Sequence, residues 1–229
     1  MDKRSNENDL VQSALNHWLD SHPDFGIEDL LPFPWMNRRL AEEEIEFMLQ
    51  EGLIEKAGER YTKKAHKACK LIFLDVDGVL NSACGGSFKD GCLQNLKRIV
   101  DSVGAKIILV SSWKSGWEKK EKHFQDEYGD YLDKTLMDYG IEIFNKSSRY
   151  SGGRTADVLD WVLRANADGF VVLDDEPALY RHPAIISHCV FTSFSRGLTT
   201  EDANKAIVVL GGELDYLKNY NNDDIDLAV

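Results

Sequence analysis

Apolar residues near the start of the chain recur at intervals of three and four, the spacing that lines one face of a helix. This stripe consists of Leu10, Val11, Ala14, Leu15, Trp18 and Leu19. Three prolines within residues 22–37 exclude a long helix there. A second helix is expected to begin at Arg38, with Asn37 as its N-cap, and to end at Gly52.

The segment GLIEKAGERYTKK after this helix has the residue pattern of a β-hairpin. We expect a strand, a turn at Ala57 and Gly58, and a returning strand, with a further helical turn starting at Thr62 or Lys63. Residues 1–69 are therefore predicted to form a small, mainly helical domain that ends in a hairpin.

From Lys70 onward, short apolar runs alternate with helical patterns. Five runs rich in Val, Ile, Leu and Phe predict strands at residues 71–75, 106–112, 141–144, 169–175 and 188–193. Helices are expected near residues 91–103, 118–138, 155–165 and 200–210. Such runs suit strands that are buried on both faces. The alternation predicts an α/β fold, a Rossmann-like doubly wound parallel sheet, in a domain spanning residues 70–229.

The charge of the chain limits its partners. The 229 residues carry a formal net charge of -12, a balance that repels phosphate backbones and anionic lipid surfaces. The apolar runs are far shorter than the roughly 20 residues that span a bilayer, so no membrane association is expected. The N-terminus lacks the pattern of a secretory signal, and a cytoplasmic location is predicted.

Candidate chemistry begins after the first predicted strand of the second domain. Asp75 and Asp77 follow an apolar run and are separated by one valine, with Gly78 next. Two carboxylates at a strand end, followed by a glycine that permits a tight turn, can reach one small ligand together. This position distinguishes the segment from an ordinary exposed turn.

Polar residues also end two other predicted strands. Ser111 and Ser112 follow one strand and could bind a phosphoryl oxygen through a hydroxyl and a backbone amide. Asp174 and Asp175 end another, beside Glu176. Adjacent carboxylates repel one another unless a cation offsets their charge, and Mg²⁺ prefers oxygen ligands. The sequence therefore predicts a magnesium site.

In their order and spacing, these motifs resemble the haloacid dehalogenase (HAD) superfamily between about Lys70 and Gly212. The resemblance implies a magnesium-dependent phosphohydrolase in which Asp75 attacks phosphorus and Asp77 serves as general acid and base. It also implies metal ligation by Asp75, the backbone carbonyl of Asp77, and Asp175. Asp174 would then orient these ligands or contact the metal through a water molecule.

The resemblance further requires a cation that binds the phosphoryl group, at the start of the helix before the acidic strand. Arg154 fits that position, although the usual residue of the family is lysine. Lys114 and Lys146 are rival candidates.

The Ser-Ser-Trp of the second motif and a Gly-Leu-Thr before the last helix resemble a subgroup that includes HAD domains associated with nucleic-acid repair proteins. The spacing between the motifs leaves little room for a lid, so an open site of the capless type is expected. Such a site would accept a phosphorylated small molecule or macromolecule. The alternatives are a catalytically idle binding or regulatory module and a polynucleotide end phosphatase.

The helix and hairpin of the first domain resemble the end of a winged-helix domain. Its second helix would present acidic residues to a DNA groove: Glu42, Glu43, Glu44, Glu46 and Glu51. Residues 1–70 contain ten Lys and Arg against fourteen Asp and Glu. This charge disfavours nucleic-acid binding, and we expect the segment to pack on the phosphohydrolase domain or on a protein partner.

Overall fold

The computed structural model describes residues 15, 18–34, 36–50, 52–64, 69–82, 86–117, 127–147, 153–165 and 167–212. Contacts between residues divide the chain into two compact units. The first comprises Met1–Ala68 with Leu159–Ala167, and the second comprises Cys69–Val158 with Asp168–Val229. No helix among the described residues is long and apolar enough to cross a membrane.

The first unit contains a small antiparallel sheet and short helices. Its elements are β1 (Asp24–Phe25), α1 (Ile27–Leu30), α2 (Arg38–Gln50), β2 (Ile54–Ala57) and β3 (Arg60–Lys63), after helical residues at 18–21. The strand order is β1-β3-β2, with both pairings antiparallel. The winged-helix resemblance of this segment stays a prediction.

The predicted start of α2 is confirmed, since the Asn37 side chain accepts a hydrogen bond from the Leu40 amide at 3.1 Å. Of the predicted amphipathic stripe, Leu15, Trp18 and Leu19 are described, and both leucines are buried. The remaining three positions, Leu10, Val11 and Ala14, lie outside the described residues.

Four details of the first unit differ from the sequence expectation. The hairpin turn falls at Gly58 and Glu59, where Gly58 has a φ of 65°. Thr62 and Lys63 pair with β2 as strand residues and do not start a helix. Glu44 is buried at 6% exposure, so it is not presented on the helix surface. Short strand β1 was not predicted, because two residues carry no detectable periodicity.

The second unit has a five-stranded parallel sheet flanked by helices. Its strands are β4 (Lys70–Leu74), β5 (Lys106–Leu109), β6 (Ile143–Lys146), β7 (Gly169–Asp174) and β8 (Cys189–Phe191). Its helices are α3 (Asp90–Val103), α4 (Glu127–Asp138), α6 (Pro183–Ile186) and α7 (Thr200–Val209), together with the start of α5 (Gly153–Arg164). From Leu159 onward, α5 belongs to the first unit. The parallel sheet flanked by helices confirms the predicted HAD-like α/β fold. Part of the helix expected over 118–138 falls on residues outside the described ranges.

The order of the strands determines where a ligand can bind. The sheet order is β6-β5-β4-β7-β8, and every pairing is parallel. The chain builds outward from β4 through β5 to β6, and then returns to the other side of β4 as β7. The carboxyl ends of β4 and β7 therefore form the topological switch point, where open α/β sheets bind their ligands.

Candidate active site

Three carboxylates meet at the switch point. Asp75 follows β4, Asp174 ends β7 and Asp175 comes next, and one oxygen from each lies within 4.8 Å of the others. Asp75 is 4% exposed and Asp174 is fully buried. An all-oxygen donor set of this size suits Mg²⁺, which takes one or two carboxylates and completes its shell with waters and phosphate oxygens. The residues present therefore fit the predicted ion.

Burial and mutual repulsion raise the pKa values of two carboxyl groups in this cluster, those of Asp75 and Asp175. Burial raises the pKa of Asp75 to about 7, and the charges on Asp174 and Asp175 add to the rise. The guanidinium of Arg154 and a hydrogen bond from Ser111 act in the opposite direction. Burial, followed by the charge on Asp174, also raises the pKa of Asp175. A bound cation would favour the ionised form of each group.

Arg154, in the first turn of α5, bridges two of these carboxylates. Its Nη1 lies 2.9 Å from Asp75 Oδ1 and also contacts Asp174 Oδ2. Burial lowers the pKa of the guanidinium, but the carboxylates of Asp75 and Asp174 outweigh this effect and raise the pKa above its ordinary value. Arg154 therefore remains a fixed positive charge beside Asp75.

Asp174 is held from several sides. The Tyr180 hydroxyl donates to its Oδ2 at 2.7 Å, where Arg154 also binds, and the Glu176 amide donates to its Oδ1 at 2.9 Å. Because both oxygens already accept hydrogen bonds, Asp174 is suited to orient its neighbours. Asp175 remains better suited to ligate a metal directly.

Asp77 lies outside the cluster of three carboxylates. Asn81 Nδ2 donates to its Oδ1 at 2.8 Å, and Trp113 Nε1 donates to its Oδ2 at 3.0 Å. Asn81 is itself fully buried, and its Oδ1 accepts from the Gly78 amide at 3.2 Å. These contacts fix the Asp77 carboxyl between the loop that follows β4 and the loop that follows β5.

Gly78 allows the acidic motifs to approach each other. Its φ is 78°, a conformation that side chains disfavour. A Cβ at this position would lie 2.4 Å from Asp175 Cγ. The Thr192 hydroxyl also donates to the Gly78 carbonyl at 2.7 Å, which ties the turn to the residue after β8. Both its conformation and its close contact therefore require glycine here.

The remaining predicted residues occupy different positions around the cluster. Ser111 is buried and hydrogen-bonded to Asp75, whereas Ser112 is exposed at the start of a short 3₁₀ helix. Lys114 Nζ lies 3.1 Å from Asp157 Oδ2 and donates to Ser147 Oγ at 2.6 Å.

The two rival lysines are engaged in different contacts from those of Arg154. Lys146 Nζ donates to the backbone carbonyls of Lys114 and Trp117. Lys114 forms an ion pair with Asp157 on α5, as described above. Arg154, by contrast, forms an ion pair with Asp75 itself.

Sequence reasoning did not assign a role to four residues that shape the site: Asn81, Trp113, Tyr180 and Thr192. Trp113 belongs to the Ser-Ser-Trp motif and Asn81 follows the Asp-Gly turn, so their proximity along the chain was a usable signal. Tyr180 and Thr192 act through contacts made by the folded chain. No spacing in the sequence indicates those contacts.

A family described as "HAD domain in Swiss Army Knife RNA repair proteins" matches residues 71–203, more than half of the chain. The protein belongs to this family. The matched HAD region contains β4, β7 and all three clustered carboxylates. Membership supports phosphatase-type hydrolase chemistry at the level of the family. No curated protein matches the sequence.

Proposed function

We propose that this HAD-family protein is a magnesium-dependent phosphatase that hydrolyses a phosphate monoester through an aspartyl-phosphate on Asp75. The observation that carries the proposal is the meeting of Asp75 with two further carboxylates and Arg154 at the carboxyl end of the central strand. This arrangement combines a nucleophile, a set of oxygen ligands and a fixed positive charge within one short span.

Asp75, Asp175 and the backbone carbonyl of Asp77 would hold the ion, with Asp174 orienting them. When bound, Mg²⁺ supplies positive charge that offsets the phosphoryl oxygens and the carboxylates. The contacts from Tyr180 and the Glu176 amide keep Asp174 in place as the substrate enters. Those contacts limit the motion that would otherwise weaken the site.

Asp75 attacks phosphorus in line, and the bond from phosphorus to the leaving oxygen breaks as the new bond forms. Arg154 and the Ser111 hydroxyl stabilise the charge on the phosphoryl oxygens. Asp77 donates a proton to the departing oxygen and then removes one from the water that hydrolyses the aspartyl-phosphate. Two easier steps replace one difficult step.

A catalytically idle module is less well supported. Asp75, Asp77, Asp174 and Asp175 are all retained, although placing three of them together, two of them buried, is electrostatically costly. A protein that only binds a partner would not need carboxylates arranged in this unfavourable way. Displacement of a halide from carbon is also disfavoured, because it needs neither a proton donor nor a metal.

A polynucleotide end is the second candidate substrate, and the description of the matched family favours it. The net charge of -12 opposes binding through an extended track of phosphates. Any strand would therefore have to be recognised at its terminus.

Phosphate release from a panel of sugar phosphates, nucleotides, phosphopeptides and 3′-phosphorylated oligonucleotides tests the proposal. Turnover is expected with Mg²⁺, should stop in excess chelator and should return when Mg²⁺ is restored. Asp75→Asn should abolish it, because an amide is a poor nucleophile. Asp101→Asn, on the exposed side of α3, is the matched control and should remain active. Full turnover in chelator or by Asp75→Asn would refute the proposal.

A further inference from the structure

Four aromatic side chains form a continuous cluster beside Asp77. Its members are Phe88, Trp113, Tyr128 and Tyr131, which are called the aromatic cluster below. Ring centroids are 5.4 Å apart for Phe88 and Trp113, 5.4 Å for Trp113 and Tyr128, and 4.9 Å for Phe88 and Tyr131. The rings come from the loop before α3, the 3₁₀ helix after β5, and α4.

The cluster begins at the general acid. Trp113 Nε1 donates to Asp77 Oδ2 at 3.0 Å, so the edge of the indole faces the carboxyl that protonates the leaving oxygen. In an in-line displacement, the leaving group lies opposite Asp75 and next to Asp77. The organic part of the substrate therefore extends on the side where Trp113 and its neighbours lie.

The outer members of the cluster remain open to solvent. Tyr128 is 49% exposed and Tyr131 is 43% exposed, whereas Trp113 is only 7% exposed. Phe88 stacks on one face of Tyr131 with an interplanar angle of 10°, which directs the exposure of Tyr131 to its opposite face and edges. Tyr128 meets Trp113 edge-on at 76°. Of the two accessible rings, Tyr128 is thus separated from Asp77 by the ring of Trp113, and Tyr131 by the rings of Trp113 and Phe88.

We propose that the aromatic cluster binds the base of a nucleoside phosphate, by stacking on Tyr128 and Tyr131, while the phosphate occupies the site at Asp75. This inference rests on the proposed phosphatase function and names its substrate class. Bases stack on aromatic side chains whatever their sequence, and this contact needs no positive charge. It therefore suits a protein whose net charge is -12.

The distance between the acid and the open rings favours a nucleoside over a simple aryl ester. In an aryl phosphate the ring is attached directly to the leaving oxygen, so it would meet Asp77 and the buried edge of Trp113. In a nucleoside phosphate the sugar separates the base from the leaving oxygen, so the base extends past Trp113 toward Tyr128 and Tyr131. A sugar hydroxyl is also a poor leaving group, which depends on protonation by Asp77.

Comparison of a nucleoside 5′-monophosphate with ribose 5-phosphate tests the inference, because the two share the ester and differ by the base. The wild-type protein with Mg²⁺ should favour the nucleotide in kcat/KM by roughly 5- to 150-fold, the range expected for one stacked base. Tyr128→Ala should reduce this preference by at least about fivefold, mainly through a higher KM for the nucleotide.

Met137→Ala is the matched control, since Met137 lies on the same helix α4 and is also 49% exposed. It should retain the wild-type preference. Equal kcat/KM values for nucleotide and ribose 5-phosphate, or an equal loss in Met137→Ala and Tyr128→Ala, would overturn the inference. A phosphotyrosine peptide that outperforms every nucleotide would overturn it as well.

The nucleoside phosphate could be a free nucleotide or the end of a strand. Assaying a short oligonucleotide with a terminal phosphate alongside the free nucleotide distinguishes these two substrates. A preference for either of them over ribose 5-phosphate supports the inference, provided that Tyr128→Ala reduces this preference. Failure of the inference differs from failure of the proposed function. In the first case ribose 5-phosphate is hydrolysed and the base adds nothing, whereas in the second no phosphate ester is hydrolysed at all.

Discussion

Asp75 is 4% exposed and lies beside the carboxylates of Asp174 and Asp175. Its negative charge is therefore costly in the protein without metal, even with Arg154 at 2.9 Å. The same burial excludes water from the Asp75 carboxylate. A bound cation would offset the repulsion among the three carboxylates.

The first prediction concerns stability in chelator. The pKa of Asp75 is raised from 3.8 to about 7, so the folded state holds its proton over a pH range in which the unfolded state has lost it. Because the unfolded state binds fewer protons in this pH range, ionisation of Asp75 lowers the free energy of unfolding as pH rises from about 4 to about 7. Asp75→Asn should therefore be more stable than the wild type at pH 8, by up to a few kcal/mol, with a smaller gain at pH 5.

Thermal unfolding of both proteins in chelator measures this difference, and added Mg²⁺ should raise the Tm of the wild type more than that of Asp75→Asn. A gain that is the same at pH 5 and pH 8 would show that Asp75 does not carry the electrostatic cost. An equal Mg²⁺ shift in both proteins would place the metal elsewhere.

The second prediction concerns Gly78. Gly78→Ala adds a Cβ only 2.4 Å from Asp175 Cγ, at a φ of 78°. The variant should lose at least about 1 kcal/mol of stability and most of its phosphatase activity, because both the turn and Asp175 must shift. Gly104→Ala is the control, since Gly104 has a φ of 66° but nothing within 4 Å of its added Cβ. Full activity in Gly78→Ala would contradict the described contact.

At the scale of elements, periodicity and residue type predicted the strands of the parallel sheet to within a few residues. The run before Asp75 was expected at 71–75 and is β4 at Lys70–Leu74. Helix α7 was expected at 200–210 and is Thr200–Val209. Buried apolar strands carry a strong local signal, which explains this agreement. The fold class and the order of the motifs therefore followed from the sequence.

The contacts that orient the site residues could not be predicted from the sequence. Tyr180 reaches Asp174 only after the chain has turned through the short helix at Pro177–Leu179. Thr192 reaches Gly78 across the sheet edge from a position more than a hundred residues away. Such contacts depend on strand order, which periodicity does not encode. The catalytic roles of Asp75 and Asp77 remain predictions.

The segment that follows β7 supports the third prediction. Tyr180→Phe removes one donor from the fully buried Asp174 while keeping the ring. The fold should survive with a loss of about 1 kcal/mol, and the concentration of Mg²⁺ needed for half-maximal activity should rise severalfold. Titration of activity with Mg²⁺ checks this. Tyr139→Phe, whose hydroxyl bonds to exposed Asp90, is the matched control. An unchanged Mg²⁺ requirement in Tyr180→Phe would show that its hydrogen bond does not support the metal site.

At the scale of the whole molecule, negative charge is present in both parts of the chain. Residues 1–70 carry fourteen acidic side chains against ten basic ones, within a total of -12. In α2, Glu42, Glu43 and Glu46 are exposed. Helices that enter a DNA groove meet phosphates on either side, and these glutamates would be repelled by them.

The fourth prediction follows from that charge. The full-length protein should not shift duplex DNA in a gel assay at low salt, the condition that most favours electrostatic binding. A protein partner for the first unit remains a prediction. A clear shift that weakens steeply as salt rises would contradict this account of the charge and would support duplex binding.

The central claim, that Asp75 becomes phosphorylated, is tested most directly by trapping the intermediate. Asp77→Asn should slow hydrolysis of the aspartyl-phosphate, whereas a ³²P-labelled aryl phosphate with a good leaving group can form it without a proton donor. Acid quenching of this variant with that substrate and Mg²⁺ should therefore leave label on the protein. Peptide mapping is expected to locate the label at Asp75, with none in the Asp75→Asn, Asp77→Asn double variant. Label on another residue, or continued turnover without Asp75, would contradict the mechanism.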